Sequence, residues 1–226
     1  LVFDRAVALP GHANGMIFRA HDGAGETALR RVYYSIGGGF VLTEDELEAW
    51  RAEGGRASAA DVPYPFANAR EMLAMATASG QSIAAMKRAN EECSVAADML
   101  DTRLDAIWSA MTGCIDRGLR QGGIMPGGLK VRRRARDMLE RLDAEWRNNR
   151  PNPLLANDWL SVYAMAVNEE NAAGGRVVTA PTNGAAGVIP ATLRFFLRFN
   201  TEAGEREVRD FLLTAAAIGG IIKHNA

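Results

Sequence analysis

The sequence predicts a mainly α-helical protein with a small N-terminal β (α+β) part, on three observations. Before residue 43, apolar and polar side chains alternate between clusters of turn-forming residues, the pattern of half-buried strands. After Pro63, apolar residues recur at helical spacing almost to the last residue. Between the two lies 54–61, a stretch of glycine, alanine, serine and charge that reads as a linker. The boundary is placed there, giving 1–60 as the β part with its linker and 61–226 as the helical domain.

The elements follow in order. Residues 16–20 alternate, 21–25 supply turn residues, and 28–36 resume a β-rich pattern with Val32, Tyr33 and Tyr34, which predicts a hairpin. Gly37-Gly-Gly39 then lets backbones approach closely or makes a bulge. It matches neither G-x-G-x-x-G nor a P-loop, so it is a weak signal for phosphate. Thr43 followed by Glu46 is a capping box, and a short helix is expected over 44–53.

Short helices are expected over 69–78 and 83–92, the second capped by Ser82. A longer one covers 95–120, with Leu100, Leu104, Ile107, Trp108, Met111 and Ile115 on one stripe and Cys114 buried beside it. Gly122-Gly-Ile-Met-Pro-Gly-Gly128 breaks this helix. The basic run that follows, 130–136, suits phosphate or nucleic acid, but on an amphipathic helix a solvated or acid-paired face is the preferred reading. An Asn- and Pro-rich turn at 148–153 precedes an apolar helix over 154–173. Helices over 186–200 and 205–223 are so rich in alanine and glycine, notably at 215–220, that a central helix buried on all sides is expected.

Composition narrows the function. The 226 residues are 48% hydrophobic, enough for a good core, and a net charge of −1 argues against nucleic acid as the main partner. Lysine occurs only at positions 87, 130 and 223, which limits lysine-bound cofactors, and the excess of arginine reads as codon bias. Two distant cysteines, Cys93 and Cys114, make no disulfide framework. Without an apolar run of about 18 residues or a signal-like N-terminus, neither membrane nor secretion is expected, and the protein is read as cytoplasmic. Both ends look cut: the chain starts without methionine and stops in an apolar helix with no closing signal.

The chemistry concentrates in 168–187, where amide and acidic side chains run into two glycine-rich turns between apolar flanks. That setting predicts a polar segment that is buried or lines a cleft, and a buried polar group needs a partner. Asn168, Glu169 and Asn171 cap the end of one helix, and Thr182 and Asn183 the start of the next, on the simplest reading. Alternatively, the two helix ends converge on an anionic ligand such as a carboxylate. The two readings are compatible.

Tyr33-Tyr-Ser-Ile-Gly-Gly-Gly-Phe40, Val62-Pro-Tyr-Pro-Phe66, Cys114-Ile-Asp-Arg-Gly118, Met125-Pro-Gly-Gly-Leu129 and above all the long motif over 166–184 resemble the bacterial iron-sulfur L-serine dehydratases of single-chain type. The match runs in order through nearly the whole chain. It implies the end of a β domain and the first half of an α-helical catalytic domain. It also implies a homodimer that converts L-serine to pyruvate and ammonia without pyridoxal phosphate. A [4Fe-4S] cluster held by three cysteines would act as Lewis acid on the substrate.

The resemblance assigns Asn168, Glu169 and Asn171 to the polar wall of the substrate site, and Thr182, Asn183 and Gly184 to a turn offering donors to the serine carboxylate. Asn225, also assigned to substrate binding, opens a motif beyond which the family carries its cluster cysteines, so neither Cys93 nor Cys114 corresponds to them. A Ser-Ser-Ser-His-Thr loop of the family would precede Leu1. This chain is therefore expected to be an inactive fragment with no cluster bound, and no base is identified. His224 reads as a helix-end histidine and Glu170 as an ion-pair partner. The competing readings are a non-catalytic ligand-binding or regulatory helical module, and a hydro-lyase for a related hydroxy amino acid.

Overall fold

Alternation near the start of the chain becomes an antiparallel hairpin, β1 (Gly15–His21) against β2 (Thr27–Gly37). In the connecting turn the Asp22 carboxylate accepts from the backbone N–H groups of Ala24 and Glu26 at 3.0 and 2.9 Å, the local bond that makes aspartate a turn former. β3 (Phe40–Thr43) adds on the other side of β2, for a sheet order β1-β2-β3. The β2–β3 register slips between Ser35 and Gly37, at the start of the glycine run. The computed structural model describes residues 9–37, 40–52, 62–147, 155–178 and 183–225. Gly38, Gly39, the expected linker 54–61 and the turn at 148–153 lie outside them.

The capping box forms as expected at α1 (Glu44–Ala52): the Thr43 backbone N–H donates to Glu46 Oε2 at 2.8 Å, and the Glu46 N–H returns to Thr43 Oγ1 at 3.4 Å. The Thr43 backbone N–H, and the Thr43 hydroxyl donating to the same oxygen at 2.9 Å, hold the Glu46 carboxyl below its usual pKa. Val32, Tyr34 and Leu47 make the small core of this part. The chain divides into two compact units, Leu1–Asp61 and Val62–Ala226.

In the second unit α2 (Ala69–Ser79) is capped by Asn68 and α3 (Ile83–Glu92) by Ser82, whose hydroxyl accepts from the Ala85 N–H at 3.1 Å. The long helix α4 (Ala97–Arg120) buries Leu100, Leu104, Met111 and Ile115 of the expected stripe, while Ile107 is 38% exposed and Cys114 is buried. Ile107 and Cys114 share nearly the same azimuth, seven residues apart. They differ because α4 changes neighbours along its length: its first half packs with Leu193, Leu212 and Leu213, its second half with Trp159, Val162 and Tyr163.

The rest of the unit is α5 (Ala135–Arg147), α6 (Leu155–Ala172), a 3-10 turn at Asn183–Ala185, α7 (Val188–Phe199) and α8 (Glu205–Asn225). The helix buried on most sides is α6, through Trp159, Val162, Tyr163, Ala166, Val167, Glu169 and Glu170. This corrects the expectation drawn from the small residues of α7 and α8. On α8 the buried positions Val208, Leu212, Leu213 and Ala217 form a single stripe, and Ile218 and Ile222 are exposed. High alanine and glycine content permits close packing on every side but does not compel it. Among the described residues, no helix is long and apolar enough to cross a membrane.

Two glycines let α6 sit so close to its neighbours. A Cβ on Gly118 of α4 would lie 2.3 Å from the Ala166 carbonyl oxygen, and one on Gly187, the N-cap of α7, 2.9 Å from that of Ala164. An exposed helical glycine gains about 1 kcal/mol on change to alanine. For Gly118→Ala the sign reverses, because backbone has to move; a loss of about 3 kcal/mol is expected, read as a lower urea midpoint.

Candidate functional site: the C-terminal end of helix α6 and the turn before α7

The two acidic residues at the end of α6 are both buried, and each is matched by a different partner. The Glu169 carboxylate reaches the N-terminus of α5, where Oε1 accepts from the Arg134 backbone N–H at 2.6 Å and both oxygens lie 3.4 Å from the Ala135 nitrogen. An anion there satisfies free N–H groups and meets the positive end of the helix dipole. Glu170 takes two guanidinium groups, Arg133 Nη1 at 2.9 Å on Oε1 and Arg117 Nε at 3.2 Å on Oε2. The ion-pair role expected of Glu170 is thus formed.

These partners explain the basic run at 130–136. Arg132 pairs with Asp137 at 2.8 Å, Arg133 with Glu170, and Arg136 with Glu140 at 3.0 Å, which is an acid-paired segment. The run begins in a loop rather than on the helix: Ile124 bridges Arg132, and the Arg133 N–H donates to the Gly123 carbonyl at 2.9 Å. Sequence reasoning found the pairing but missed that Arg133 is only 8% exposed. An arginine flanked by basic residues carries no sign of which one turns inward.

Of the residues assigned to the polar wall, Asn168 is exposed and Asn171 partly so, while Glu169 turns to α5. Asn171 Nδ2 donates to the Asn183 carbonyl at 3.2 Å, which ties the end of α6 to the 3-10 turn holding Asn183 and Gly184. The same carbonyl accepts the Ala186 N–H at 3.1 Å, so the turn runs directly into α7. Asn168 Oδ1 lies 3.2 Å from where a Gly187 Cβ would stand. The structure therefore brings Asn168, Asn171, Asn183, Gly184 and the start of α7 together. Thr182 and the side chains of His224 and Asn225 lie outside the described residues.

This corner is suited to an anion. No side chain caps α7, and with Pro190 in its first turn the N–H groups there belong to Val188 and Ile189, beside the exposed Asn183 and Asn168 amides. The Asn171–Asn183 bond joins the end of α6 to the turn before α7, while the two buried carboxylates of α6 are engaged by α5 and by arginines.

The cysteines stand apart. Cys93 is exposed at the end of α3 and its thiol donates to the Ala89 carbonyl, whereas Cys114 is buried. Burial pushes the Cys114 thiol above its usual pKa, Arg117 pulls it down and Glu170 pushes it up. Among the described residues, no three His, Cys, Asp or Glu side chains gather as a metal site. The Cys114 sulfur serves packing.

Removing the Glu170 carboxylate would leave Arg133 buried without its anion. Glu170→Ala is expected to cost about 3–5 kcal/mol, measured by urea unfolding against the parent chain.

Comparison with known proteins shows the family. Residues 54–226 match the family model described as serine dehydratase alpha chain, and residues 1–46 the one described as serine dehydratase beta chain. The chain is 47% identical over 226 residues to an L-serine dehydratase of Streptomyces coelicolor, covering all of this chain and 48% of the relative. It is 39% identical over 218 residues to L-serine dehydratase 1 of Escherichia coli, covering 96% of this chain and 46% of the relative. It is also 39% identical over 226 residues to an L-serine dehydratase of Haemophilus influenzae, covering 100% and 48%. The chain spans about half the length of these relatives. With alpha-chain sequence through its helical unit and beta-chain sequence at its start, the chain belongs to the serine dehydratase family.

Proposed function

We propose that this chain contributes the substrate-binding half of an L-serine dehydratase, a lyase that converts L-serine to pyruvate and ammonia. The observation that carries the reading is the corner where Asn168, Asn171, the Asn183–Ala185 turn and the uncapped start of α7 meet. Relatives named L-serine dehydratase support the choice of substrate.

The chemistry sets what the corner has to do. L-Serine presents a carboxylate, and a helix N-terminus with free N–H groups binds a carboxylate through both hydrogen bonds and dipole. Asn183 and Gly184 would meet that group from the turn, and Thr182, which precedes them in the sequence, is assigned to the same task. Asn168 would face the substrate from α6, and Asn171 would hold the Asn183 carbonyl so that the turn keeps its geometry. Glu169 acts from behind, holding α6 to α5. Fixing the carboxylate orients the Cα–H and Cβ–O bonds for elimination of water, which gives an enamine that hydrolyses to pyruvate and ammonia.

A [4Fe-4S] cluster is proposed as cofactor of the whole protein on the family resemblance alone. The described residues do not fit it, since Cys93 is exposed, Cys114 is buried in the core, and no ligand group forms. The role of these residues is to bind and orient, and no step is derived through the cluster.

Anaerobic reconstitution of the full-length protein with iron and sulfide should yield pyruvate from L-serine. Activity indifferent to oxygen but abolished by a pyridoxal-phosphate scavenger would reject the reading. For the corner itself, Thr182→Ala and Asn183→Ala should each lower kcat/KM by about 10-fold, the scale of one hydrogen bond to a charged group. Kinetics equal to the parent enzyme would return both residues to a capping role.

A further inference from the structure

The segment Cys114-Ile-Asp-Arg-Gly118 lies outside the proposed corner, yet its residues meet the elements that form it. Cys114 packs in the core with Val162 and Tyr163 of α6. Asp116 Oδ1 accepts from Arg194 Nη2 of α7 at 3.3 Å, and Gly118 admits the Ala166 carbonyl. Arg117 does two things at once: Nε meets Glu170 Oε2 at 3.2 Å, and Nη2 donates to the Arg176 carbonyl at 2.9 Å.

Those two contacts lie on either side of the end of α6. Between them the chain turns back on itself, with the Gly174 N–H on the Asn171 carbonyl at 3.2 Å and the Gly175 N–H on the Glu170 carbonyl at 2.8 Å. The chain returns at Asn183, whose carbonyl is held by Asn171. One guanidinium thus pins the outgoing limb of the connection whose incoming limb carries the carboxylate donors.

We infer that Arg117 is a positioning residue for the serine site, holding 173–178 so that Asn183 and Gly184 meet the substrate at a fixed distance from α6. The inference rests on the L-serine reading above. Arginine suits the task because its planar fork sends separate donors to a carboxylate and a carbonyl, whereas lysine offers one compact centre. The Arg117 side chain is 40% exposed, and Glu170 keeps Arg133 when Arg117 is replaced, so the fold is expected to persist without it.

The experiment uses Arg117→Lys and Arg117→Met in the full-length holoenzyme, with amide hydrogen exchange, thermal melting and steady-state kinetics on L-serine. Both variants are expected to exchange 173–178 at least about 10-fold faster, to melt within about 4 °C of the parent, and to raise KM about 10-fold with a smaller change in kcat. Parental exchange in Arg117→Met overturns the inference. So do parental kinetics despite faster exchange, rescue by Arg117→Lys, or a loss of activity matched by a large fall in Tm. A parent enzyme that does not turn over L-serine rejects the substrate reading instead, and the exchange measurement still decides whether Arg117 holds the limb.

Discussion

Helix α6 is buried on most of its circumference, and that one constraint dictates much of what surrounds it. A helix in this position has to be approached closely by its neighbours, so glycine stands on α4 at Gly118 and before α7 at Gly187, against the carbonyls of Ala166 and Ala164. Every charge at its end has to be matched from another element. Glu169 finds the first N–H groups of α5, and Glu170 finds guanidinium groups from α4 and from the loop before α5. Asn168 is left exposed and Asn171 partly so, neutral amides that can remain solvated.

The buried pair of Glu170 and Arg133 is better understood as geometry than as stability. Withdrawing two charges from water costs several kcal/mol per ion, and their attraction recovers this only when hydrogen bonds satisfy the remaining atoms. Here both oxygens of Glu170 are occupied, one by each arginine. Such a group has one low-energy arrangement. It fixes the rotation of the last turn of α6 and hence the directions in which the neighbouring amides point. The proposed serine site would need that definition, because misplacement of about 1 Å can cost about 100-fold in rate.

Local rules were legible in the sequence wherever the chain satisfies its own backbone. The capping box at Thr43 and Glu46, the Ser82 cap and the bounds of α3 depend on neighbours within four residues, and all match the expectation. The pairing of the basic run was legible for the same reason, since Arg136 and Glu140 are one helical turn apart. What could not be read is set by distant partners. Nothing local distinguishes Glu169, which turns to a helix start 34 and 35 residues back, from Asn168 beside it. Ile107 fits the α4 stripe and is still exposed, because what covers a stripe is decided by elements far away in sequence. The corner itself was half legible: its residues stand out as a polar run between apolar flanks, but only the fold tells which of them face outward.

The cap that α5 receives from Glu169 has a consequence for how this part of the molecule comes apart. A helix capped by its preceding residue carries its own start signal, whereas α5 borrows its from a side chain at the far end of the next helix. When α6 lifts away, the first turn of α5 loses both its hydrogen-bond acceptor and its counter-charge, so the two helices should open as one cooperative unit. Drift in the length of the connection between them is therefore buffered: as long as α6 docks in register, the beginning of α5 is specified whatever the intervening chain does.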